Sequence, residues 1–128
     1  MARSASAPHP PCVVIVEDDA SLLGALVFAL EADGFDVRPY HSAAPLLERP
    51  VEADCMVIDL KLPDVDGLSL ISRLRGLHIA SPAILITTNP DDRCKASARA
   101  AGVEIVEKPL IGGELRRRID KAIGPARA

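Results

Sequence analysis

Short apolar runs alternate along this chain with segments in which polar and apolar residues mix. Three of the runs, residues 12–16, 55–58 and 83–86, carry no charged side chain and are rich in Val and Ile. Such runs are typical of strands that are buried on both faces of a sheet. The runs 35–38 and 103–106 alternate between apolar and polar residues, and they predict two further strands.

Helical spacing separates these runs. Leucines recur at every fourth position from Leu22 to Leu30, and Gly34 marks the end of this first helix. Ser42 is expected to cap a short second helix that runs through Arg49. The pattern predicts three more helices. Leu68, Ile71 and Leu74 mark the third, and the fourth begins at Asp91 or Asp92 and ends at Gly102. The fifth is marked by Leu115, Ile119, Ala122 and Ile123.

A strand followed by a helix therefore occurs five times in succession. This alternation predicts the α/β class: a doubly wound, five-stranded parallel sheet of the flavodoxin-like (βα)5 type, with strand order 2-1-3-4-5. We expect one domain over residues 12–124, a disordered N-terminal tail over residues 1–11 and a short C-terminal tail over residues 125–128. In such sheets ligands bind beyond the carboxyl ends of the strands, where the strand order reverses.

Composition excludes several classes of function. The chain has 128 residues, with 15 Lys and Arg against 18 Asp and Glu, and a net charge of −3 argues against direct binding of nucleic acid. Aromatic residues make up only 2 %, which argues against stacking on bases or sugars. No apolar stretch is long enough to predict a membrane span. The three cysteines have no metal-type spacing, and as reduced thiols they favour a cytoplasmic protein.

Polar residues follow the predicted strands at one edge of the sheet. Glu17 and Asp18 end strand 1, Asp59 ends strand 3, Thr87 ends strand 4 and Lys108 follows strand 5. Strands 1 and 3 are neighbours in the predicted order, so their carboxylates crowd together. Carboxylates this close need a cation, and an all-oxygen site suits Mg²⁺. Lys108 adds a positive charge that can meet an anion.

Each of these residues also has an ordinary structural interpretation. Asp19 is expected to begin the first helix, where a carboxylate favours the helix dipole. Asp59 can cap the loop that follows it. Thr87 and Thr88 can be strand residues, since threonine has high strand propensity. Lys108 can be an ordinary solvated lysine. The occurrence of all these residues at one sheet edge favours a site. The run Arg116-Arg117-Arg118 is interpreted as a solvated face, with a docking patch for an acidic partner as the alternative.

Four motifs resemble those of a known family. They are V-I-V-E-D-D (14–19), M-V-I-D-L-K-L-P-D-V-D-G-L (56–68), I-L-I-T-T (84–88) and V-E-K-P-L (106–110). Together they resemble the receiver domain of bacterial two-component response regulators, in the manner of the single-domain chemotaxis and nitrogen-fixation receivers. The likeness extends from about residue 12 to residue 123.

The resemblance implies a role for each matching residue. Asp59 corresponds to the phosphoacceptor, and Mg²⁺ is the implied cofactor. The Lys108–Pro109 peptide bond is commonly cis in the family. By the same resemblance, Mg²⁺ would be bound by Glu17, Asp18, Asp59 and the backbone carbonyl of Lys61. The Thr87 hydroxyl and Lys108 would contact the phosphoryl group, and the backbone N–H of Thr88 would donate a hydrogen bond to it.

The implied function is that of a phosphorelay receiver. A sensor histidine kinase or a phosphotransfer protein would donate the phosphoryl group to Asp59, and the chain would assist its own phosphorylation without being a turnover enzyme. The signal would pass to a downstream protein through residues 90–123, and a homodimer is a further possible partner. We expect either a stand-alone chain or a segment of a longer regulator.

Departures from the family pattern keep alternatives open. Ile105 stands where the family usually has Tyr or Phe, and Thr88 stands where it usually has Ala or Gly. They motivate the hypothesis of a receiver-like interaction module whose switching is atypical or independent of phosphate. A phosphohydrolase of the haloacid dehalogenase type is a third hypothesis, but it requires an Asp at the position of Lys61. A dinucleotide enzyme is disfavoured because no G-x-G-x-x-G follows strand 1.

Overall fold

Five parallel strands and five helices alternate in the computed structural model, which describes residues 9–124. Residues 1–8 and 125–128, most of the two predicted tails, lie outside the described residues. The strands are β1 (Cys12–Val16), β2 (Asp36–Tyr40), β3 (Cys55–Asp59), β4 (Ala83–Thr87) and β5 (Glu104–Glu107). The helices are α1 (Ala20–Ala32), α2 (Ala43–Glu48), α3 (Gly67–Gly76), α4 (Asp92–Ala100) and α5 (Glu114–Ile123).

The strand order is β2-β1-β3-β4-β5, which confirms the predicted doubly wound topology. Val16 of β1 pairs with Ile58 of β3, so the residues after β1 lie beside the end of β3. Asp59 of β3 pairs with Ile86 of β4, and Thr87 pairs with Glu107 of β5. The register thus brings the carboxyl ends of four strands to one edge of the sheet.

Two apolar layers sandwich the sheet. Residues of α1 and α5 pack on one face, where Leu30 and Ile119 are buried against Ile15. The helices α2, α3 and α4 cover the other face, where Leu46 and Leu70 are buried. Every residue of β3 and β4 is buried, as expected for strands covered on both sides. None of the helices within residues 9–124 combines the length and apolar character needed to cross a bilayer.

The two alternating strands begin one residue later than predicted, and the cause is the same in each. The predicted first residues, Phe35 and Val103, use their N–H groups to close the preceding helix, on the carbonyls of Leu30 at 3.1 Å and Ala98 at 2.8 Å. Both side chains are nevertheless buried. Their apolar character therefore reflects core packing, while the ladder of hydrogen bonds begins after them.

Aspartates begin most of the helices, as the sequence indicates, but the second helix differs. Asp19 and Asp91 accept hydrogen bonds from Leu22 and Cys94 at the starts of α1 and α4. The prediction that Ser42 caps α2 is wrong, because its side chain makes no capping hydrogen bond. The carboxylate of Asp64, which lies in the loop between β3 and α3, occupies that role.

Candidate functional site

A cavity of about 350 Å³ lies at the carboxyl edge of the sheet, where the loops after β1, β3, β4 and β5 converge. It contains every residue that the sequence assigned to a site. The residues that line it are Glu17, Asp18, Asp19, Asp59, Lys61, Thr87, Thr88 and Lys108.

Glu17 is the most deeply buried acid of this cavity. Its backbone N–H donates to the carbonyl of Tyr40 at 3.0 Å, which fixes it directly after β1. Its Oε2 accepts from the backbone N–H of Asp19 at 3.0 Å. Its buried Oε1 makes no hydrogen bond and forms an ion pair with Lys108 Nζ at 3.1 Å. Burial raises the pKa of Glu17, and the hydrogen bond from Asp19 and the charge of Lys108 offset this only in part.

Lys108 joins the two buried carboxylates of the cavity. Its backbone N–H donates to the carbonyl of Thr87 at 2.8 Å, which holds the end of β5 beside the end of β4. Its Nζ lies 3.1 Å from Glu17 Oε1 and 3.3 Å from Asp59 Oδ2. Partial burial on its own lowers the pKa of Lys108, but the neighbouring carboxylates outweigh it and the pKa lies above its usual value. The Lys108–Pro109 peptide bond is cis, as the resemblance implied.

Asp59 ends β3 and is only 4 % exposed. Its Oδ1 accepts from the backbone N–H of Lys61 at 3.3 Å, while its Oδ2 contacts Lys108. The chain then returns sharply, because the N–H of Gly67 donates to the carbonyl of Leu60 at 2.7 Å. Asp59 thus has one oxygen held by the loop and the other directed at the lysine.

The acidic residues form a group with the character of a divalent-metal site. Within residues 9–124, Glu17, Asp18 and Asp59 are the group whose ligand oxygens all lie within 4.8 Å of one another. The cavity is lined by four acidic residues and two lysines, so negative charge is in excess. The buried Glu17 Oε1, which lacks a hydrogen bond, is an oxygen that a cation would satisfy. Hard oxygen donors of this kind suit Mg²⁺, so the residues fit the ion.

Two threonines complete the side of the cavity that β4 provides. Thr87 is buried at the end of the strand, and its hydroxyl donates to the carbonyl of Thr88 at a long 3.5 Å. Thr88 is exposed at the rim. The hydroxyl of Thr87 therefore has no short hydrogen bond that an incoming anion would have to break.

Ile105 lies away from this cavity. It is partly buried in β5 and lines a second, larger cavity of about 640 Å³ between α4, β5 and the loop before α5. Apolar side chains such as Val103 and Leu110 and charged ones such as Arg99 share its walls. The unusual residue of the sequence thus borders open space rather than the acidic cavity.

Sequence reasoning missed the role of one residue in the loop that carries Lys61. Asp64 follows Lys61 in the same loop and bonds to the start of α2, which precedes it by about 20 residues. The motif L-P-D-V-D-G contains this aspartate, but no local pattern indicates a partner so distant in sequence. Asp19, in contrast, has the predicted role at the start of α1 and also borders the cavity.

Comparison with known proteins identifies the class to which this fold and site belong. The family described as the response regulator receiver domain matches residues 13–120. The chain belongs to this family, and the resemblance inferred from its motifs is confirmed. It is therefore a receiver domain of the two-component response regulators.

Two curated relatives illustrate the likeness. The transcriptional regulatory protein FixJ of Rhizobium meliloti is 34 % identical over 113 residues, which cover 86 % of this chain and 55 % of FixJ. The transcriptional regulatory protein CreB of Escherichia coli is 32 % identical over 114 residues, which cover 84 % of this chain and 48 % of CreB. The chain spans about half the length of the curated relatives it matches.

Solved structures agree with this assignment. The crystal structure of FixJ-N superposes with a TM-score of 0.80 at 31 % identity, covering 91 % of this chain and 95 % of that one. The receiver domain of the Francisella response regulator 1452 has a TM-score of 0.80 at 25 % identity, covering 88 % of this chain and 96 % of that one.

Proposed function

We propose that this chain accepts a phosphoryl group on Asp59. An Asp59 oxygen attacks the phosphorus of a phosphohistidine, the phosphorus–nitrogen bond breaks, and the imidazole leaves as the free histidine side chain. The product is an aspartyl phosphate. The observation that carries the proposal is the position of Lys108 Nζ between the buried carboxylates of Asp59 and Glu17. Positive charge is thereby held where phosphoryl oxygens would develop negative charge.

The remaining residues of the cavity have complementary roles. Glu17, Asp18, Asp59 and the backbone carbonyl of Lys61 would hold Mg²⁺, which would supply positive charge to the phosphoryl group. Lys108 pairs with a second phosphoryl oxygen. The hydroxyl of Thr87 and the backbone N–H of Thr88 donate to a third, and the long contact of that hydroxyl with Thr88 leaves it available. The chain positions its own phosphorylation and turns over no external substrate.

We further propose the partners and the setting of this reaction. A sensor histidine kinase or a phosphotransfer protein donates the phosphoryl group, and a downstream protein, or a second copy of the chain, reads residues 90–123. The functional domain covers residues 12–124. Three free cysteines support a reducing, cytoplasmic compartment. The net charge of −3 supports protein partners rather than direct contact with nucleic acid.

The hypothesis of a phosphate-independent module is not favoured. Of the two residues that motivate it, Ile105 lines a separate cavity and Thr88 lies at the rim of the acidic cavity. The acidic cavity retains each residue that the proposed phosphoacceptor role requires. The departure at Ile105 concerns the route from the site to the surface.

Mass spectrometry with a small acyl phosphate donor tests the proposed function. We expect the chain to gain one phosphoryl group in the presence of Mg²⁺, and to gain none after chelation or in Asp59→Asn. Asp36→Asn serves as the matched control, because Asp36 is half exposed at the opposite end of the sheet. Uptake that persists in Asp59→Asn would contradict the assignment, as would an unmodified wild-type chain that also fails to bind beryllofluoride.

Identification of the donor requires a second experiment. Phosphotransfer from a panel of autophosphorylated histidine kinases should reveal one donor that is faster than the others. Transfer should be lost in Asp59→Asn and retained in Asp36→Asn.

A further inference from the structure

The loop between β3 and α3 is attached to α2 by one side chain. Asp64 Oδ1 accepts from the backbone N–H of Ala43 at 3.1 Å, and Oδ2 accepts from that of Ala44 at 2.8 Å. Asp64 Oδ1 also accepts from the N–H of Val65 at 3.1 Å, which shapes the tip of the loop. Both carboxylate oxygens are thus used, although the residue itself is exposed.

The helix α2 depends on this carboxylate. Its first turn contains no acidic residue, and Ser42 at its N-cap position makes no side-chain hydrogen bond. The hydrogen bonds hold the pKa of Asp64 below its usual value, with that from Ala43 the largest cause. The helix is a firm support for the loop because Ala43 and Leu46 are completely buried against the sheet.

The same loop carries the backbone carbonyl that the proposed function assigns to Mg²⁺. Its base is closed by the hydrogen bond from Gly67 N–H to Leu60 carbonyl at 2.7 Å, and its tip is held by Asp64. Lys61 lies between these two fixed points and is three residues from Asp64. We propose that Asp64 is a positioning residue that sets the Lys61 carbonyl for metal binding by anchoring the loop to α2, an inference that rests on the proposed function.

Anchoring matters because a carbonyl ligand has no conformational freedom of its own. A side-chain ligand can adjust by rotation, but a backbone oxygen moves only with the loop. Mg²⁺ tolerates little deviation from octahedral geometry. Groups that orient metal ligands from outside the coordination sphere commonly change metal affinity by about 10- to 100-fold. We expect Asp64 to lie at the lower end of this range, because partly buried Leu62 and Val65 also hold the loop.

A pair of variants separates anchoring from simple helix capping. Asp64→Ala removes both the anchor and the cap of α2. The double variant Asp64→Ala with Ser42→Asp supplies a new cap at the N-cap position of α2 but leaves the loop unattached. Asp64→Asn keeps the shape of the side chain with one acceptor oxygen and gives an intermediate case.

Mg²⁺ titration followed by amide chemical shifts measures the effect on each variant. We expect Asp64→Ala and the double variant both to bind Mg²⁺ about 10-fold more weakly than the wild type. Thermal unfolding should show a loss of stability in Asp64→Ala that the double variant recovers. In the metal-free protein, amide hydrogen exchange at positions 61, 62, 64 and 65 should be faster in both variants. Asp36→Asn should match the wild type in every measurement.

The outcomes distinguish this inference from the proposed function. If Mg²⁺ affinity returns together with stability in the double variant, Asp64 is a helix cap alone and the inference is overturned. Wild-type affinity in Asp64→Ala overturns it as well, while the proposed function stands. If the wild-type chain binds no Mg²⁺ at Glu17, Asp18 and Asp59, the proposed function fails and the inference fails with it.

Discussion

Charged residues of the acidic cavity are buried close together, which has a cost in stability. Glu17 is fully buried with a raised pKa, and it shares a single lysine with Asp59. A buried carboxylate that must share one lysine with a second carboxylate is disfavoured unless a further cation joins them. Negative charge is thus concentrated where a metal ion and a phosphoryl group would bind, and this charge destabilises the metal-free fold.

Replacement of Glu17 by Gln should remove this destabilising charge. A raised pKa means that the folded state disfavours the charged form, so the cost is present at neutral pH and disappears as the pH falls through the raised pKa. We expect Glu17→Gln to raise the melting temperature of the metal-free protein by about 4 °C, which corresponds to roughly 1 kcal/mol. The stabilisation that Mg²⁺ gives the wild type should disappear. Thermal unfolding with Mg²⁺ and with chelator checks both statements. In Asp36→Asn, the melting temperature and its increase with Mg²⁺ should match those of the wild type.

Gly67 illustrates a different demand on a single residue. A Cβ at this position would lie 2.5 Å from the carbonyl oxygen of Asp59 and 2.9 Å from Leu85 Cδ1. We expect Gly67→Ala to lower the free energy of unfolding by about 2 kcal/mol, since the backbone at Asp59 has to move. Gly76→Ala, at the other end of the same helix, meets no atom within 4 Å and should be neutral or stabilising. Denaturant unfolding of both variants would contradict this explanation if the two losses were equal.

At the scale of elements, charged side chains attach the helix ends to distant parts of the chain. The Cζ atom of Arg116 in α5 lies 4.9 Å from the centre of the Phe35 ring, and its Nη1 lies 2.6 Å from Asp33 Oδ2. Arg118 bonds Glu104 of β5 at 2.9 Å. The arginine run predicted as a solvated face is therefore largely engaged within the chain, which argues against its alternative interpretation as an acidic-partner patch.

The contact of Arg116 with Phe35 should contribute measurably to the attachment of α5. We expect Arg116→Ala to cost about 1 kcal/mol, because it removes a cation–π contact and packing on the ring, while its exposed ion pairs contribute less. Arg117→Ala is the matched control. Arg117 is 68 % exposed, its ion pair with Glu114 is 3.8 Å long, and its Nη1 donates to the carbonyl of Gly112 at 3.1 Å. Equal unfolding free energies for the two variants would argue that the ring contact has no energetic weight.

At the scale of the whole molecule, topology was the most predictable property. Buried runs and their alternation with helices determine a parallel sheet, and the parallel register alone brings Glu17, Asp18 and Asp59 together. The strand starts were less accurate because the N–H groups of Phe35 and Val103 belong to helix ends. The cap of α2 by Asp64 could not be predicted, since it joins residues about 20 positions apart through a surface turn.

The second cavity, which Ile105 lines, has room for an aromatic side chain. Ile105 borders the cavity of about 640 Å³ beside α4, whereas its strand partner Leu85 is completely buried. We expect Ile105→Tyr to change stability by less than about 1 kcal/mol, because the ring has space and its hydroxyl can reach water. Leu85→Tyr should cost about 3 kcal/mol or more through overpacking.

The same variant tests how the site communicates with the surface. A tyrosine ring can alternate between the cavity and the solvent, whereas the branched side chain of Ile105 cannot make that swing. With Mg²⁺ and beryllofluoride bound, amide shifts in α4 and β5 should therefore be larger in Ile105→Tyr than in the wild type. Equal shifts in the two proteins would mean that the path from Asp59 to this face does not pass through position 105, and that the missing ring has no part in the readout.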